Sequence, residues 1–390
     1  MNRQRTQWVK QEIYQLCHHG LDPFAFIRQA RRVLREAVPF DASCWLTVDP
    51  ASLLVTGGLF DYPPELVPAF CRNEFVDDDV NKLRFLARAT MPVGILSQAT
   101  AGHPERSPRY CDILQPVGLE SELRAAFRVE SSIWGACALY RERGNRDFEH
   151  DEAAFIDSLS GLLGAGLRRS LTVATIATGT AVSNGPGLVV LAEDGSIEAI
   201  SPDAKHWIQE LDDPLRPGSH AVPHPAIVYV AGRARAIAAG DLAPEAGLAS
   251  ARIRTRSGRW LLAHASMLEG ELPGRAAVIL EAARPVEIAP LIVEAYGLSQ
   301  REQQITELVL HGASTNEMAS HLSLSPFTVQ DHLKAIFEKM SVRSRREVAA
   351  RIFFDHHFPP TMKMDPSGSR QFLTKRATQD ARFSRTAQGS

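Results

Sequence analysis

Between Leu298 and His357 the pattern Ser-x-x-Glu occurs three times, at Ser299/Glu302, Ser314/Glu317 and Ser344/Glu347. In each, the serine oxygen can accept from the backbone N–H three residues on, while the glutamate can reach back to the cap. A fourth start is marked by Ser325-Pro326, a cap followed by proline at the first helical position. Four helix starts within about sixty residues leave little room for strands. The first helix carries Ile305, Leu308 and Val309 and stops at Gly312. The second presents Met318, Ala319 and Leu322, and only Ser323 and Leu324 separate it from the third. The third buries Val329, Leu333, Ile336 and Met340, turning Gln330, Asp331, Lys334 and Glu338 outward. The fourth supplies Val348, Ala349 and Ile352. Two short helices joined by a tight turn make a helix-turn-helix, whose second member fits a DNA major groove.

Charge supports that reading only when counted locally. The whole chain has 43 Lys+Arg against 45 Asp+Glu, a net charge of −2, so no uniform basic field attracts nucleic acid. From His332 to Arg351 six basic residues face two acids, a net of +4. Three of the domain's acids (Glu302, Glu307 and Glu317) lie in the first two helices.

With these residues in view, the segment resembles the LuxR-type helix-turn-helix. The match runs through Leu298-Ser299-Gln300-Arg301-Glu302, Gly312, Glu317-Met318-Ala319, Leu322 and Ser325-x-x-Thr328-Val329. It continues through His332, Ile336, Lys339-x-x-Val342 and Arg345. The resemblance implies sequence-specific binding of double-stranded DNA, usually as a homodimer on a two-fold site. It places Gln330, Asp331 and Lys334 toward base edges and makes Ser325, Thr328, Lys339 and Arg343 phosphate contacts. Gln330 stands where many members carry Lys, and Gln reads adenine by a bidentate pair. Asp331 either accepts from cytosine N4 or repels phosphate. His332 is expected to pack rather than touch bases, and Arg301, Glu302 and Arg345 to form an internal salt-bridge set.

Upstream, 390 residues allow two to four domains. A first unit, 10–170, opens with a helix at Asp22-Pro23 and continues through strand-like runs at Cys44–Val48, Leu53–Thr56, Leu123–Val129 and Ile133–Tyr140. A long helix over Asp147–Arg169 closes it. A small, uncharged segment at 171–187 reads as a linker. In the second unit, 188–284, Asp194-Gly195 lies between apolar runs and predicts a hairpin. Further strands are expected at Ala251–Arg256, Arg259–Ala265 and Ala276–Ala283, with helices inserted between the second and third strands. Residues 285–297 form a connector whose Ile288, Leu291, Ile292 and Ala295 suit a short amphipathic helix, and 298–357 hold the DNA-binding domain. The stretch 358–390 is basic, poor in apolar residues and expected to be disordered.

The first unit resembles a GAF domain, in layout and in segments such as Asn73-Glu74-Phe75-Val76-Asp77-Asp78-Asp79-Val80-Asn81-Lys82, and the second a PAS-like domain. The arrangement is similar to that of actinobacterial regulators with sensor modules ahead of a LuxR-type domain. The expected fold class is multidomain α+β: GAF-like and PAS-like antiparallel-sheet domains, then an all-α four-helix LuxR-type domain.

Other chemistry is thinly represented. There is no G-x-x-x-x-G-K-[ST], H-E-x-x-H or G-x-S-x-G motif. An enzyme is therefore not expected, nor is a cofactor or metal. Cys17, Cys44, Cys71, Cys111 and Cys137 form no C-x-x-C pair and read as small buried hydrophobes. Asp77-Asp78-Asp79 reads as a solvated acidic turn in preference to a cation site. Met1–Gln11 lacks an apolar signal core, and no run reaches the ~18–20 residues of a membrane span, so a soluble cytoplasmic protein is expected. The functional expectation is a transcriptional regulator coupling a sensed signal to promoter binding. Its further partners would be a small-molecule ligand or RNA polymerase, with no membrane. The alternative is a ligand- or partner-binding module with weak or nonspecific DNA binding.

Overall fold

The computed structural model describes residues 2–173, 185–211, 223–242, 248–270 and 274–355. Most of the expected linker and the whole of the expected tail lie outside the described residues. Helices α1 (Arg3–Leu16) and α2 (Pro23–Arg35) come first. Asp22 caps α2, accepting from the N–H groups of Phe24 and Ala25. Five antiparallel strands follow: β1 (Ala42–Asp49), β2 (Leu54–Phe60), β3 (Val93–Ile95), β4 (Leu119–Val129) and β5 (Ser132–Glu142), in the order β2-β1-β5-β4-β3. Between β2 and β4 lie α3 (Val67–Phe75), α4 (Leu83–Leu86) and α5 (Leu96–Ala99). Helix α6 (His150–Ser170) then crosses β4 and β5.

Successive side chains of this sheet enter two different cores, as the period of two requires. Trp45, Leu123, Ala125, Phe127, Cys137 and Leu139 pack with α1, α2 and α6. Leu46, Val48, Ala126, Ala136, Ala138 and Tyr140 pack on the opposite side with α3 and the second unit. Burial of both faces explains why Ile133–Tyr140 reads as a continuous apolar run.

The second unit repeats that strand order. Its strands β6 (Gly187–Leu191), β7 (Ile197–Ile200), β8 (Ser250–Arg254), β9 (Trp260–Met267) and β10 (Ala276–Ala282) lie as β7-β6-β10-β9-β8. Gly195, at φ 87°, turns the β6–β7 hairpin. Helices α7 (Pro202–Leu211) and α8 (Pro225–Ala239) are inserted between β7 and β8.

Helix α8 has no wet face along its first two turns. Ala226 through Ala231 are buried in succession, with β9 and β10 on one side and α3 and β2 of the first unit on the other. A Cβ added at Gly232 would sit 2.3 Å from Cys71 Sγ, so the close α3–α8 approach depends on glycine there. Around this seam Asp49 accepts from three donors of Arg252: the backbone N–H at 2.9 Å, Nε at 3.0 Å and Nη2 at 2.5 Å. Arg233 Nη1 donates to the Ser52 carbonyl at 2.6 Å.

The acidic turn at Asp77–Asp79 is solvated only in part, with Asp78 exposed, Asp77 half-buried and Asp79 buried, against expectation. Asp79 is buried and accepts from Asn73 Nδ2, Ser107 Oγ and the Arg109 backbone N–H. Arg109, itself 1% exposed, clamps Glu122 with Nε and Nη2. Burial alone would raise the Asp79 carboxyl; the Arg109 charge and the hydrogen bonds outweigh it and hold it below the ordinary value. The cysteines are free thiols, and all but Cys111 are buried. Desolvation pushes the Cys44 thiol up to about 12 and raises those of Cys71 and Cys137 as well.

Helix α9 (Pro285–Ala295) leaves the second sheet, burying Ile288, Leu291, Ile292 and Ala295. The remaining helices are α10 (Gln300–Leu310), α11 (Thr315–Leu322), α12 (Pro326–Met340) and α13 (Arg345–Ala350). One apolar cluster continues from α6 through α9 into their core. Gly297 joins α9 to α10 at φ 68°, and a Cβ there would meet Arg168 of α6 at 2.9 Å. Among the described residues no helix is long and apolar enough to cross a membrane.

Candidate nucleic-acid interface

The core under the interface is Ile305 and Val309 of α10, Met318 and Ala319 of α11, Val329, Leu333, Ile336 and Met340 of α12, and Val348 of α13, all buried. Each helix is held at its start. Glu302 N–H donates to Ser299 Oγ at 3.4 Å and Ser299 N–H to Glu302 Oε2 at 2.7 Å. Ser314 and Glu317 repeat the exchange at 3.3 and 2.7 Å. Ser323 ends α11 in the left-handed region (φ 54°, ψ 46°), which folds the chain sharply into Leu324 and Ser325. Ser325 then caps α12, accepting from Thr328 N–H at 3.1 Å.

Helix α12 has 15 residues and is therefore about 22 Å long. Val329, Leu333, Ile336 and Met340 anchor it, and Gln330, Asp331, Lys334 and Glu338 are exposed on the opposite side. The Lys334 and Arg343 side chains are exposed and make no hydrogen bond or ion pair among the described residues. Their charges are available to an outside anion. Ser325 Oγ and Thr328 Oγ1 lie 2.9 Å apart. One hydroxyl donates to the other, so the pair keeps one O–H to offer outward.

Lys339 is differently placed. Its Nζ donates to Glu302 Oε2 at 2.6 Å and to the Gly297 carbonyl at 3.2 Å, leaving one donor. Glu302 is almost fully buried, which alone would raise its carboxyl. Hydrogen bonds from Lys339 and the Ser299 backbone overcome that and hold it below the ordinary value. Lys339 thus ties α12 to the start of α10.

That contact also corrects the expected Arg301–Glu302–Arg345 set. Arg301 donates to Gln304 Oε1, Arg345 to the Ala313 carbonyl and Thr315 Oγ1, and Glu302 pairs with Lys339. Lys339, on α12, is the residue that reaches the buried Glu302 carboxylate at the start of α10.

A family model described as bacterial regulatory proteins, luxR family, matches residues 297–352. Spore germination protein GerE of Bacillus subtilis (strain 168) is 31% identical over 55 residues, which cover 14% of this chain and 74% of that protein. The chain belongs to the luxR family of bacterial regulatory proteins. The transcriptional regulatory protein DesR of Bacillus subtilis (strain 168) is 37% identical over 67 residues, 17% of this chain. The transcriptional regulatory protein UhpA of Escherichia coli (strain K12) is 39% identical over 56 residues, 14% of this chain. The chain spans only 34% of the length of DesR and 29% of the length of UhpA. A structure of the phage VqmA-DPO complex aligns with 43% of this chain and 81% of its own at 15% identity, but with a TM-score of 0.17, too low to bear on the fold.

One exposed residue of this LuxR-family domain did not figure among the expected contacts. Phe327, at the second position of α12, is 78% exposed. The available signal was spacing, since 327, 330, 331 and 334 follow the i, i+3, i+4, i+7 rule of a single helix face.

Proposed function

We propose that the chain is a cytoplasmic transcriptional regulator that binds promoter DNA specifically, as a homodimer on a two-fold site. The supporting observation is the outer face of α12, the second helix of the helix-turn-helix, where Gln330, Asp331 and Lys334 stand exposed together. In this reading Gln330 addresses adenine N6 and N7, Asp331 accepts from cytosine N4, and Lys334 reaches guanine or a phosphate. Ser325, Thr328, Lys339 and Arg343 contact phosphates and set the register. Half-sites are separated by about 10 bp, one DNA turn.

The units at 10–170 and 188–284 serve as GAF-like and PAS-like sensors, reaching the DNA-binding domain at 298–357 through the connector at 285–297. The helical connector and the unbroken apolar cluster from α6 into the DNA-binding core support that route. A ligand or protein partner binding one arrangement preferentially shifts the population of DNA-competent dimers. RNA polymerase is the downstream partner. The basic tail at 358–390 adds salt-sensitive, nonspecific affinity.

The test is selection of bound sites by the full chain from random double-stranded DNA at ~150 mM salt. An enriched inverted repeat supports specific dimeric regulation. Binding without enrichment that fades as salt rises favours the alternative, a ligand- or partner-binding module with nonspecific DNA affinity.

A further inference from the structure

Phe327 and Leu248 are the two large hydrophobic side chains more than three-quarters exposed among the described residues. A single exposed apolar residue needs no explanation in general. Phe327 differs in its company: it continues the stripe of Gln330, Asp331 and Lys334 at the N-terminal end of α12. Those three side chains match polar groups on base edges, and a benzyl ring has one counterpart there. The 5-methyl of thymine is the apolar group of the major groove.

We propose that Phe327 reads a thymine methyl next to the base pair addressed by Gln330. The inference rests on the reading that α12 enters the major groove. Along the helix axis Phe327 and Gln330 are separated by about 4.5 Å. Base pairs are separated by about 3.4 Å, so the two side chains fall on neighbouring steps. Gln330 favours adenine at its step and Phe327 favours thymine at the next. The half-site therefore contains two consecutive A·T pairs, with the cytosine taken by Asp331 and the Lys334 contact toward the other end of the helix. Apolar contact and amide pairing together reject G·C at both of these positions.

Replacing thymine by deoxyuridine removes the methyl alone, which gives a direct test. With the full chain and its selected site, each thymine is replaced in turn and affinity is measured for wild type, Phe327→Ala and Phe327→Leu. One thymine per half-site is expected to be sensitive in the wild type, losing about four-fold, the worth of one buried methyl. Phe327→Ala should bind the unmodified site more weakly and be indifferent to the same replacement; Phe327→Leu should retain part of the sensitivity. Because the ring is exposed, Phe327→Ala should melt with the wild type, which separates a lost contact from a lost fold.

Equal uridine sensitivity in wild type and Phe327→Ala, or no sensitive thymine, overturns the assignment of Phe327. If Lys334→Ala still changes the selected sequence, the reading of α12 survives that failure. Unchanged DNA affinity with reduced transcription in Phe327→Ala overturns it too, and points to a protein contact. No enriched site from the full chain overturns both the inference and the reading beneath it.

Discussion

Replacing Asp49 with Ala removes the acceptor for three donors of Arg252, whose side chain is only 12% exposed. At an effective dielectric of about 20 and a charge separation of about 4 Å, the attraction lost is ~4 kcal/mol. The stranded guanidinium also keeps its desolvation cost. Breaking a buried pair by deleting one partner typically costs ~3–5 kcal/mol, and that is the expected loss of stability. Removing both charges behaves differently. Asp49→Leu combined with Arg252→Met should recover part of the loss, because neither side chain then needs an ionic partner at the seam, while the backbone N–H at 252 still lacks its acceptor at a cost of ~1–3 kcal/mol. Urea unfolding followed by tryptophan fluorescence reads both variants, with Trp45 and Trp134 reporting on the first unit and Trp207 and Trp260 on the second. If α8 makes the two sheets one cooperative body, all four report a single transition that moves as a whole. A cost below ~0.5 kcal/mol would place Arg252 in water. A shift confined to one unit's transition would refute the shared core.

Three further outcomes are expected. Lys334→Ala should weaken binding to the selected site and relax choice at one base pair by ~1–3 kcal/mol, read by repeating the selection; unchanged preference would remove Lys334 from the reading face. Ser323→Gly should stabilise the DNA-binding domain by up to ~1 kcal/mol, because serine carries a steric penalty at φ 54° that glycine does not; a lower melting temperature would show that the hydroxyl matters more. Glu302→Gln should flatten the acid limb of stability. The depressed carboxyl of Glu302 contributes at pH above its ordinary 4.5, and that contribution is lost as pH falls through the folded-state value. The variant's acid unfolding curve should therefore converge on the wild type below pH 4.5, and parallel curves throughout would exclude Glu302 as the titrating group.

How much of this was legible in the sequence depended on whether the signal was local. Asp22-Pro23, Asp194-Gly195, Ser325-Pro326 and the three serine–glutamate pairs act within a few residues, and each marks the turn or helix start it specifies, although in the third Glu347 accepts from Arg343 N–H in place of Ser344 N–H. The amphipathic face of α9 was visible for the same reason. Strand β3 was missed because three residues carry no usable period. Buried Asp79 was misjudged because its neutralising Arg109 lies thirty residues on and becomes a neighbour only after folding. Helix α8 gave no amphipathic signal because both of its sides are covered. The outward placement of Gln330, Asp331 and Lys334 on α12 followed from spacing, and their expected part in reading bases from the resemblance. Phe327 shares their face by spacing, but its aromatic ring carries no polar signal of a nucleic-acid contact.

Helix α8 also bears on how the protein tolerates being divided. Its two apolar sides belong to different sheets, so a cut between residues 173 and 185 separates surfaces that complete each other. The front fragment would be left with α3 and β2 uncovered, and the rear fragment with the far side of α8. Either alone should be poorly soluble. Expressed together, they should find each other and restore the folded protein as complementing halves. The pair of sheets is then divisible as two polypeptides but not as two independent modules. Exchanging either sheet for that of another regulator would succeed only when the matching face of its neighbour travels with it.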